Sequence, residues 1–92
     1  MNFFSLLTVL TTIAGIAMAS SNGLQALKIF RTKSAHDIAP SAFIILTIGA
    51  FIWIIYGLAI RDIPIIISNS LGFTFTLIVL LGYFIYENKN RL

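Results

Sequence analysis

Residues 38–60 and 63–86 read IAPSAFIILTIGAFIWIIYGLAI and IPIIISNSLGFTFTLIVLLGYFIY, two uncharged runs of 23 and 24 residues with only Arg61-Asp62 between them. As helices rising about 1.5 Å per residue, both are long enough to cross a hydrocarbon core of about 30 Å, which takes roughly 20 residues. So short a break predicts an antiparallel helical hairpin. Asp62 is placed to cap the helix that follows it through its carboxylate, and Pro64 falls in that helix's first turn, where a missing N–H costs nothing.

Working outward, residues 1–27 form a third uncharged run, and the three runs together take 74 of the 92 residues. The chain is 59% hydrophobic and 10% charged, whereas about a quarter of a soluble domain is charged. The sequence therefore predicts an all-α membrane protein. A single domain over residues 1–92 holds three transmembrane helices, at about 4–30, 40–60 and 63–86. The runs lack the two-residue alternation of a β-barrel. What remains is too short for a soluble domain, and no linker, low-complexity tract or internal repeat interrupts the pattern.

Several chemistries are excluded by composition. With no cysteine and one histidine, there is no basis for a disulfide, a thiolate metal site or a zinc centre, and no cofactor is expected. No nucleophile, base and acid are grouped as an enzyme requires. The six basic residues are spread over two connections and a tail, which makes no track for nucleic acid despite a pI near 9.7.

Their placement reads as topology instead. Three crossings put Lys28, Arg31 and Lys33 of the first connection on the same side as Lys89 and Arg91 of the tail, against Arg61 alone on the other. The positive-inside rule then places the N-terminus outside and the C-terminus in the cytoplasm. Ala17-Met18-Ala19 has the small-x-small form of a signal cleavage site, but Asn2-Phe3-Phe4 lacks the positive residues that precede one. The first run is accordingly read as a span. The loop from Arg31 to Pro40 is polar, with Pro40 or Ser41 starting the second helix. His36 within it reads as solvated.

Polar side chains at membrane depth carry the functional information, because lipid offers them no partner. Counting along the hairpin, Trp53 lies about 10 Å and Asn69 about 9 Å below its turn, so the two sit at one level. An indole face that stacks on the C–H face of a pyranose, beside a carboxamide that donates to and accepts from hydroxyls, suits a sugar. An interfacial belt tryptophan and an amide bonded to a neighbouring helix fit the same two residues, and the residues alone leave both readings open. Tyr56 stands one turn above Trp53. With Arg61 and Asp62 at the rim it forms a candidate outer gate, or an interfacial tyrosine beside an exposed ion pair of small value. Two stripes at four-residue spacing, Gly15, Ala19, Gly23 and Gly49, Trp53, Gly57, read as packing surfaces.

The sequence Ser21-Asn22-Gly23-Leu24-Gln25, then Lys33-Ser34 and Asp37-Ile38, then Trp53-Ile54-Ile55-Tyr56-Gly57, then Asp62-Ile63-Pro64 and Ser68-Asn69 resembles the bacterial SemiSWEET sugar transporters of the PQ-loop superfamily over almost the whole chain. The resemblance implies one triple-helix bundle, with the third helix between the first two, acting as a parallel homodimer. It implies that Trp53 and Asn69 line a sugar pocket and that Tyr56, Arg61 and Asp62 form the outer gate. It places the inner gate or hinge at Gly23, Leu24 and Gln25. There the sequence departs from the family: its Pro-Gln element reads Leu24-Gln25, so the proline kink is missing and Gly23 is left as the flexible position.

A facilitative uniporter of a mono- or disaccharide of glucose or sucrose type, working by alternating access, is the function these features support. No carboxylate or histidine lies within the spans to relay protons. The alternatives are a small structural or regulatory membrane subunit, which would bring a partner protein and no sugar flux, and a PQ-loop transporter of a non-sugar solute. A carboxylate solute would favour a basic residue at pocket depth, and none is present.

Overall fold

The computed structural model describes residues 2–91, with side chains as far as Glu87. Three helices follow in order: α1 Phe3–Thr32, α2 Pro40–Ile60 and α3 Ile63–Arg91. All three are long and apolar enough to cross a membrane. Large apolar side chains such as Phe3, Met18, Leu24, Ile45 and Ile63 stay exposed on their surfaces, as expected where lipid is the solvent. The helix starts agree closely with the sequence, but α1 and α3 run on past the expected ends at 30 and 86. Loss of hydrophobicity marks where a helix leaves the hydrocarbon, and it does not by itself break the backbone ladder.

Local chemistry sets the boundaries. Asn2 caps α1, its side-chain oxygen accepting from the Ser5 N–H at 2.7 Å. Pro40 opens α2 in the first turn. α1 and α2 both stop at a residue in the left-handed conformation, Lys33 at φ 53° and Arg61 at φ 58°, where glycine is the usual choice. After each, the next N–H turns back to a carbonyl five residues earlier, Ser34 to Ile29 at 3.3 Å and Asp62 to Gly57 at 2.9 Å. Asp62 then caps α3 at once through a 3.1 Å bond from the Ile65 N–H. A two-residue turn suffices because the same residue closes one helix and opens the next.

α3 is the central element. It packs against both α1 and α2, which are not neighbours of each other, and the bundle is a thin slab of 56 × 23 × 14 Å. Glycine makes the approaches close. A Cβ on Gly15 would stand 2.5 Å from that of Ser68, and one on Gly82 would stand 2.6 Å from Cγ2 of Ile29. These contacts show α1 and α3 running in the same direction, as three crossings require.

The buried core lies at the end that carries the α1–α2 loop: Ala26, Ile29, Ala35, Val79 and Tyr83, with Phe43 and Tyr86 packed on it. The loop is fastened there by a single carboxylate. Glu87, 8% exposed, accepts the Ala35 N–H at 2.8 Å across 52 residues of sequence. His36 is exposed, as the sequence reading had it; its Nδ1 lies 2.6 Å from Ser34 Oγ and 4.0 Å from Glu87. The expected side chains of Lys89 and Arg91 fall outside the described residues.

Replacing Glu87 by Ala strands the Ala35 N–H in a buried site, so Glu87→Ala is expected to cost about 1–3 kcal/mol in detergent-solubilised protein, and Glu87→Gln, which keeps an acceptor, less. Thermal unfolding followed by circular dichroism measures both.

Candidate functional site

Because α1 and α2 stand apart on either side of α3, one face of the slab holds an open groove of about 720 Å³. Its floor is α3, through Ser68, Asn69, Gly72 and Thr76; α1 supplies one wall with Gly15, Met18, Ala19, Ser21 and Asn22. The other wall is α2, with Ile45, Leu46, Gly49, Ala50 and Trp53. Small residues give the width: a Cβ on Gly49 or Gly72 would meet nothing within 4 Å. No charged side chain is among the lining residues.

Trp53 and Asn69 thus line one space, as their depths along the hairpin predict. The indole is 52% exposed and is held on one side by Tyr56, whose ring meets it edge-on at 5.6 Å and 84°. Asn69 gives one N–H to the Ile65 carbonyl at 3.0 Å, and its other N–H and its oxygen have no partner among the described residues. On the floor, Thr76 donates to the Gly72 carbonyl at 2.9 Å and stands 2.8 Å from the Thr47 hydroxyl of α2. That buried pair ties α2 to α3 at groove depth.

At the hairpin end, Tyr56 and Arg61 are exposed and Asp62 is half-buried. Asp62 is engaged in capping α3. Around the helix near the loop end, the three consecutive residues Gly23, Leu24 and Gln25 point apart. Gly23 lies against the Phe75 ring, Leu24 is exposed, and Gln25 faces a separate cavity of about 210 Å³ beside Lys28 and the α1–α2 loop. α1 runs unbroken through them, as a helix with leucine in place of proline should.

The reading of both glycine stripes as packing surfaces needs correction. Gly15 and Gly23 do pack on α3, and Gly57 packs on Ile65 and Ile66, whereas Gly49 abuts nothing and opens the groove. Spacing of four residues marks one helix face without saying what lies opposite it.

Residues 2–91 match the model of a family described as sugar efflux transporter for intercellular exchange. The chain belongs to this family. Among its SemiSWEET relatives, the sugar transporter of Bradyrhizobium diazoefficiens is 41% identical over 46 residues, 50% of this chain and 54% of that one. The SemiSWEET of Leptospira biflexa is 34% identical over 56 residues, 61% and 66% of the two chains. A bidirectional SWEET sugar transporter of Arabidopsis thaliana is 36% identical over 59 residues, 64% of this chain and 20% of the plant protein. The matched segments therefore span about half to two thirds of the bacterial relatives and a fifth of the plant one. A crystal structure of a bacterial homologue of SWEET transporters superposes with a TM-score of 0.82 at 34% identity, covering 88% of this chain and 98% of that one. The SemiSWEET resemblance and its triple-helix bundle are borne out.

Within this SemiSWEET fold, the sequence reading passed over Asn22, Ser68 and Met18 as site residues. A signal for them exists: residues 15, 18, 19 and 22, residues 46, 49, 50 and 53, and residues 68, 69, 72 and 76 each follow the three-and-four spacing of one helix face.

The two glycines of the second stripe are expected to behave oppositely on addition of a methyl group. Gly57→Ala drives its Cβ to 2.8 Å from Ile65 and should destabilise the hairpin by about 1–3 kcal/mol. Gly49→Ala meets open space and should be neutral or stabilising by up to about 1 kcal/mol. Melting temperatures of the two purified variants in one detergent provide the comparison.

Proposed function

We propose that the chain carries a neutral sugar of glucose or sucrose type across a bacterial cytoplasmic membrane, down its gradient. The observation that carries this reading is the convergence of Trp53 and Asn69, from two helices, on one uncharged groove. The half-exposed indole offers a stacking face and the part-free carboxamide offers a donor and an acceptor, the pair of contacts a pyranose needs. The lack of charge among the lining residues disfavours an ionised solute.

A single chain encloses no pathway, since its groove is open on one side. Two parallel copies related by a twofold axis along the membrane normal would set two grooves face to face and double each contact. Alternating access then follows from rocking one copy against the other. Tyr56, Arg61 and Asp62 take the outer gate in this scheme, and Gly23, Leu24 and Gln25 the inner one. With no proline in α1, the inner motion is a tilt of the whole helix, with Gly23 as its most compliant point.

Two experiments test the reading. In proteoliposomes loaded by exchange with labelled glucose or sucrose, Trp53→Ala should lower uptake about tenfold or more, and Asn69→Ala by about three- to tenfold. Unchanged uptake in both would sink the site assignment. For the orientation, the natural absence of cysteine lets Lys33→Cys and Arg61→Cys be labelled one at a time in intact cells. An impermeant maleimide should reach the latter only, since Lys33 belongs to the positive, cytoplasmic side.

A further inference from the structure

We propose that Asn22 is a third sugar-binding side chain, holding hydroxyls at the end of the sugar remote from Asn69; this rests on the sugar-transport reading above. Asn22 lines the same groove as Trp53 and Asn69, from the opposite wall to Trp53. Its depth follows from the register of α1 on α3. Gly15 faces Ser68 and Gly23 faces Phe75, so Asn22, one residue before Gly23, lies about 9 Å deeper along the bundle than Asn69, one residue after Ser68. Two hydrogen bonds of about 2.9 Å each take up much of that length. The groove of about 720 Å³ leaves room between the two carboxamides for a ring that carries hydroxyls on opposite edges.

The hydrogen bonding of α1 sets Asn22 apart from the two serines before it. Its neighbours Ser20 and Ser21 return their hydroxyl protons to the Ile16 and Met18 carbonyls, at 2.8 and 2.6 Å. Asn22, half-buried, makes no side-chain hydrogen bond to any described residue, although a carboxamide brings two donors and an acceptor to be matched. At membrane depth such a group is costly without a partner. It forms no hydrogen bond to α3 among the described residues, and α1 makes its close approaches to α3 at Gly15 and Gly23. The groove at this level carries no charge, so the partner it matches is neutral and rich in hydroxyls.

The test uses full-length protein in proteoliposomes and compares labelled D-glucose with its monodeoxy analogues. Asn22→Leu should lower glucose uptake about three- to tenfold. One analogue, lacking the hydroxyl that Asn22 holds, should be carried equally by variant and wild type, while the other analogues keep the gap. Asn22→Ser, shorter but polar, should fall between and serves if the leucine variant fails to assemble. Uptake of every sugar at the wild-type rate by Asn22→Leu, with Trp53→Ala inactive, overturns the proposal. A loss of equal size for every sugar overturns it too, because an amide that only shapes the groove acts without regard to which hydroxyl is missing. Wild-type uptake by Trp53→Ala instead points to failure of the sugar-site reading on which the proposal stands.

Discussion

Hydrocarbon offers no hydrogen-bond partner, and most of this molecule can be understood as an answer to that constraint. The hydroxyls of Thr8, Thr12, Ser20, Thr47, Ser68, Thr74 and Thr76 each lie against a carbonyl four residues back in their own helix. The starts of α1 and α3 are capped by Asn2 and Asp62, and the loop N–H of Ala35 is met by Glu87. Carboxamides hold more hydrogen-bonding groups than one carbonyl can satisfy. Two of the three within the spans, Asn22 and Asn69, face the groove, where a hydroxylated ligand would meet them, and Gln25 faces the cavity beside the α1–α2 loop.

The second organising fact is that α3 separates α1 from α2. Glycines let α1 close on α3 to backbone distance, and the pairing of Thr47 with Thr76 fixes α2 on its other side. A bundle with all three helices in mutual contact would have no groove. The slab arrangement leaves the space between the outer helices unfilled, and Gly49 and Gly72 keep it wide. The buried core sits at the loop end, where Ile29, Val79 and Tyr83 meet under Ala35.

Much of the fold was legible in the sequence, because hydrophobic length and the placement of charge leave few options. The spans, the hairpin turn and the capping role of Asp62 follow from local rules, and the common depth of Trp53 and Asn69 follows from helical rise alone. What was not legible depends on register between helices. The role of Gly49 differs from that of Gly57 only through what stands opposite, and Asn22 joins the groove only once Gly23 is known to face Phe75. The grip of Glu87 on Ala35 spans 52 residues and leaves no periodic trace. The overrun of α3 past residue 86 was missed for a different reason, since hydropathy locates the edge of the hydrocarbon and not the end of the helix.

Every charged residue lies at or near a helix end or in a connection, from Lys28 and Arg31 in the closing turns of α1 to Arg61 and Asp62 at the hairpin and Glu87 near the end of α3. A membrane potential does work of about 2.3 kcal/mol per 100 mV on each unit charge moved across the membrane. Rocking helices whose middles are uncharged, around a neutral solute, moves almost no charge through that field. The voltage across the membrane therefore has little hold on the proposed cycle, and the concentrations on the two sides set the direction of net flow.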